Sequence, residues 1–125
     1  MPISDNMAEH TLIDYLERKA GEYHRGTVRY DGNETDILHL REDVREERLT
    51  SQIDRMLSRL RPESSPKEER SFPFGDLNAT VRLFQEAIIL HFPRGNNRGI
   101  VVSLEPETAR DLNTFIGECS NLLQE

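Results

Sequence analysis

The apolar positions fall into blocks whose period changes along the chain. Over residues 7–22, Leu12, Ile13, Leu16 and Ala20 recur close to the i, i+3, i+4 spacing of one helix face. Ser4, Asp5 and Asn6 supply candidate N-caps, and Gly21 lies where the helix can close. Thr27-Val28-Arg29-Tyr30 then alternates, and residues 34–40 read as its partner strand. Asp31-Gly32-Asn33 between them tolerates the positive φ of a tight hairpin turn. Residues 42–60 return to helical spacing, with Leu49, Ile53, Met56, Leu57 and Leu60 on one stripe and Pro62 as its stop. The charged run 41–48 reads as a salt-bridge-laced face of that helix.

The second half reads as three strands, at 79–85, 87–92 and 99–104, and a last helix opened by Pro106. The first two strands join tightly at Gln85-Glu86, and residues 93–98 form the next loop. In the last helix Ala109, Leu112, Phe115, Ile116, Cys119, Leu122 and Leu123 make a broad stripe, expected to face the core. Ile88-Ile89-Leu90 and Ile100-Val101-Val102 are continuously apolar, as in strands covered on both faces. The stretch 80–84 alternates and carries Arg82, which suits an edge. The expected fold is therefore α+β, in the order αββαβββα. Its five-stranded, mainly antiparallel sheet has the first and third helices on one face and the second on the other.

Length and charge narrow the function classes. One domain, 1–125, accounts for the chain, and the polar segment 61–71 reads as a mobile loop within it. No apolar run approaches the ~18–20 residues of a membrane helix. The start, MPISDNMAEH, has neither a basic nor an apolar character, so a cytoplasmic protein is expected. A net charge of -7 repels phosphate backbones, and nucleic acid is not an expected partner. The lone Cys119 excludes an intrachain disulfide and is expected as a small buried hydrophobe.

Catalytic and metal-binding chemistry finds no constellation. His10, His24, His39 and His91 show neither i, i+4 pairing nor an HExxH motif. Asp31-Gly32-Asn33-Glu34-Thr35-Asp36 lacks the sixth-position glycine of a calcium loop. Glu46 and Glu47 diverge by about 100° on a helix and cannot act jointly on one proton. No cofactor and no metal are expected, and the reading is non-catalytic. One loop has chemistry to offer: Arg94 and Arg98, around Gly95-Asn96-Asn97, are candidate anion contacts, since guanidinium forks match phosphates and carboxylates.

The element order, a hairpin before the central helix and a three-strand meander after it, resembles the roadblock/LC7 family over nearly the whole chain. The resemblance implies a dimeric adaptor or regulatory module without catalytic residues, paired with itself or a related subunit. It also implies docking on small GTPases, motor complexes or signalling scaffolds. Carried onto this sequence, the dimer surface would be Ile53, Met56 and Leu60, with Leu49, on the central helix, plus Thr80, Arg82 and Phe84 on the edge strand. The segment from Phe84 to Pro106 is similar in style to small haloarchaeal proteins. The scarcity of lysine, only Lys19 and Lys67, agrees with a salt-adapted surface. The alternative is a small-ligand sensor of profilin, PAS or GAF type, with His39, His91 and Tyr30 lining its pocket.

Overall fold

The computed structural model describes residues 3–46, 50–64, 72–95 and 97–123. Helix α1 (Ile3–Lys19) leads through a short 3-10 turn into strand β1 (His24–Asp31) and its hairpin partner β2 (Glu34–Leu40). Helices α2 (Glu42–Glu46) and α3 (Thr50–Leu60) follow, and α3 runs into a 3-10 turn, Arg61–Ser64. Strands β3 (Thr80–Leu83), β4 (Ile88–Gly95) and β5 (Arg98–Leu104) form the meander. A 3-10 turn, Pro106–Ala109, opens directly into α4 (Arg110–Leu123).

The five strands form one antiparallel sheet in the order β2-β1-β5-β4-β3. The hairpin closes with Asp31 opposite Glu34, and Gly32 supplies the positive φ of 61° that the two-residue turn demands. The continuously apolar strands occupy the interior of the sheet, and each sends buried side chains to both faces. Val28, Tyr30, Ile89 and Val101 meet Ile53, Leu57 and Leu60 of α3 on one face. Ile88, Ile100, Val102 and Leu104 meet Leu16 of α1, flanked by Leu12 and Ala20, on the other.

Several sequence expectations shift. α1 starts at Ile3, so Ser4, Asp5 and Asn6 lie within the helix and not before it. The helix expected over 42–60 is described as two pieces, and Leu49 lies outside the described residues. Of the segment read as a mobile loop, Arg61–Ser64 is helical. Arg61 there stacks over the Tyr30 ring, 5.3 Å from its centre, and donates to Thr35 Oγ1. The loop expected at 93–98 is mostly strand, because Pro93 pairs with Gly99 and Gly95 with Arg98.

The largest correction concerns α4. Its apolar stripe was expected to cover the sheet beside α1, yet α4 has no buried residue. Only Ala109, in the turn before it, packs against the α1-side cluster. Cys119, expected inside the core, is exposed.

Candidate functional site

The histidines divide between the two faces of the sheet. His24 is buried on β1 with Nε2 2.6 Å from Thr27 Oγ1, and its ring stacks on His39 of β2 with centroids 4.3 Å apart. His91 is buried on β4, with Nε2 2.8 Å from the Tyr30 hydroxyl. The register puts Thr27 and His39 on the α1 face, whereas His91 aligns with Val101 and Val28 on the α3 face. His39 and His91 therefore do not converge. The Tyr30–His91 pair meets the need of a core for paired polar groups, whereas His24 pairs through Nε2 alone and leaves Nδ1 buried without a hydrogen-bond partner among the described residues.

Burial lowers the His24 pKa from 6.5 to about 4, and the neighbouring His39 pushes the same way. The folded chain thus binds the proton more weakly than the unfolded chain, so stability is full above about pH 6.5 and falls as pH drops towards 4. Discounted for solvent screening, the loss is on the order of 2 kcal/mol. Urea unfolding at pH 7.5 and pH 4.5 should show that extra loss in the parent and not in His24→Gln. Equal losses in the two proteins would remove His24 as the cause.

The two candidate anion contacts sit beside acids. Arg98 forms an ion pair with Asp31 at 3.6 Å. Arg94 and Arg98 border a small cavity of about 40 Å³ that Glu9, Asp31 and Arg29 also line. Arg29 in turn is paired with Glu9 at 3.5 Å and with Asp36. The rim therefore carries mixed charge, with Arg29, Arg94 and Arg98 beside Glu9 and Asp31. Arg98 ties the β4–β5 hairpin to the β1–β2 turn through Asp31.

The residues assigned to a dimer surface fall into two groups. Ile53 and Leu60 are buried against the sheet of their own chain and Met56 is half-buried beside them, so the α3 stripe is core. Thr80 and Arg82 lie on β3, one of the two outermost strands, and Phe84 follows it at 57% exposure. Val81, between them, is 50% exposed. A second open surface is α4, where Phe115 is 64% and Leu122 86% exposed, with Leu112, Ile116 and Leu123 alongside. A cavity of about 180 Å³ opens on the α3 side of the sheet, among Val28, Leu40, Val44, Ile53, Met56 and Ile89. Neither His39, His91 nor Tyr30 lines it. At its polar end Arg25 Nε donates to Ser103 Oγ at 3.1 Å.

Residues 10–124 match a family model described as a domain of unknown function, DUF7522. The chain belongs to the DUF7522 family. No curated protein and no solved structure matches it.

Within this DUF7522 chain the densest polar contacts serve the frame. Arg41 donates to Glu22 O at 2.6 Å, to Asp43 Oδ2 at 2.9 Å and to Glu105 Oε1 at 2.6 Å. Hydrogen bonds donated to Asp43 and then Glu105 hold the Arg41 guanidinium above its ordinary pKa, and Arg41 holds the Asp43 carboxyl below the usual range. Backbone bonds from Arg41 N to Arg25 O and from Glu105 N to Tyr23 O close the same junction. Arg41 thereby locks the exit of β2 to the entry of β1 and the exit of β5. Nothing in the run 41–48 marks Arg41 apart from its neighbours, because Glu22 and Glu105 are remote in sequence. Among the described residues no group of three or more His, Cys, Asp or Glu side chains is placed to hold a metal ion. Nor is any described helix long and apolar enough to cross a membrane.

Proposed function

We propose that this chain is a non-catalytic, dimeric adaptor or regulatory module, pairing with a second copy or a related subunit. The observation that carries this reading is the β3 edge of the sheet. Among the described residues β3 has only β4 as a neighbour in the strand order, and Val81 and Phe84 present apolar surface at that rim. An exposed edge with unblocked apolar side chains is the surface on which a second strand adds, through main-chain hydrogen bonds and side-chain pockets. The placement of the buried histidines supports the non-catalytic part, since both are engaged in packing. The roadblock resemblance supplies the partner class, a small GTPase or a signalling assembly, because members of that family act by docking.

Light scattering across a concentration series tests the pairing. The parent should be a dimer, and Phe84→Glu should weaken it at least tenfold, the effect of about 1.4 kcal/mol or more at an interface centre. A parent that stays monomeric at every concentration would sink the reading.

A further inference from the structure

Among the described residues nothing buries the apolar face of α4. Leu112, Phe115, Cys119 and Leu122 repeat at alternating steps of three and four, with Ile116 and Leu123 widening the stripe. A 14-residue helix is about 21 Å long and marginal in water by itself, so its stability calls for packing along that stripe. The sheet holds a matching deficit. On its α1 face, Leu83, Leu90 and Phe92 stay half-buried at the β3–β4 side, and Val81 is half-exposed next to them.

The helix does not reach this strip within its own chain. Ala109 is packed against the α1-side cluster, and Arg110 continues in helical geometry at φ -54° and ψ -47°. The turn therefore runs straight into α4, whose described side chains are all outside the core, so its stripe does not cover this strip. The 180 Å³ cavity on the opposite face has room for one or two side chains, not for a helix.

We infer that α4 docks on a second copy of this chain, laying its apolar stripe across Val81, Leu83, Leu90 and Phe92 of the partner, with the exchange made reciprocally. Stripe and strip together remove on the order of 800 Å² per exchanged helix, so two exchanges approach the ~1,600 Å² of a standard specific interface. Reciprocal exchange of one terminal element is a low-cost route to a closed dimer. The inference rests on the dimeric reading above and names the element that completes it.

The test combines a disruption with a cross-link. Phe115→Asp/Leu122→Asp changes residues outside the folded core, so circular dichroism should keep the sheet signal while light scattering shows at least a tenfold weaker dimer. In the parent dimer Cys119 should react with a thiol reagent at least tenfold more slowly than in this variant. Val81→Cys, oxidised gently, should give a disulfide between position 81 of one chain and Cys119 of the other, identified by peptide mass. A disulfide within one chain, or a Cys119–Cys119 link alone, would overturn the exchange. So would a dimer insensitive to the double substitution, which leaves the edge-strand pairing intact as a reading. A parent that is monomeric throughout overturns both.

Discussion

Leu57→Ala should lower the unfolding free energy by about 3–4 kcal/mol, the range of a truncated core leucine whose cavity cannot close. Leu57 is 0% exposed and packs in the cluster with Val28, Tyr30, Ile53, Leu60, Ile89 and Val101. Four of the residues there come from three different strands, so no single segment can shift to fill the space. In urea the midpoint should fall with little change in slope, since the area exposed on unfolding barely changes. The dimer, compared under native conditions, should keep its affinity. The substitution thus separates two roles open to the α3 stripe, covering its own sheet or facing a partner. A loss under 1 kcal/mol together with a weakened dimer would show that α3 faces outwards.

That division explains how much was legible in the sequence. The β2 boundaries, 34–40, emerge as read, because alternation and the Asp31-Gly32-Asn33 turn constrain both ends. The doubly apolar runs identified the two-faced interior strands, since Ile88 and Ile89, or Val101 and Val102, have nowhere else to go. Periodicity was weaker on two counts. It marks a stripe for burial without saying which surface buries it, so the α3 and α4 stripes look alike although only α3 packs on its own sheet. It also stops at Pro93, which reads as the end of a strand, whereas Gly99 opposite lets the ladder run on to Gly95. The polar junctions were hidden for another reason. Arg41 with Glu22 and Glu105, and Tyr30 with His91, are pairs remote in sequence whose partners depend on register, and no local spacing encodes them.

The Tyr30–His91 pair leads to the second large effect, at the residue across the ladder from Tyr30. Gly99 pairs with Tyr30 in register, and a Cβ there would lie 2.6 Å from the Tyr30 hydroxyl and 2.8 Å from two of its ring carbons. The ring has little freedom to give way. It is 1% exposed, its hydroxyl is held by His91 at 2.8 Å, and Arg61 lies over its face. Gly99 is outside the left-handed region, so backbone strain contributes nothing and the cost of Gly99→Ala is steric. Overpacking of this kind costs about 1–3 kcal/mol, and a clash with a locked ring belongs at the upper end, about 3 kcal/mol. Removing the ring should remove the clash. Tyr30→Leu is itself destabilising, by about 2–4 kcal/mol, through the lost ring volume and the stranded His91. Combined with Gly99→Ala it should cost at least ~1.5 kcal/mol less than the sum of the two, because the new methyl then occupies space the ring has vacated. Urea unfolding of the four proteins measures that coupling. Costs that add to within ~0.5 kcal/mol would mean the ring does not impose glycine at position 99. A strong coupling would establish that the buried Tyr30 ring is what imposes glycine at the position opposite it.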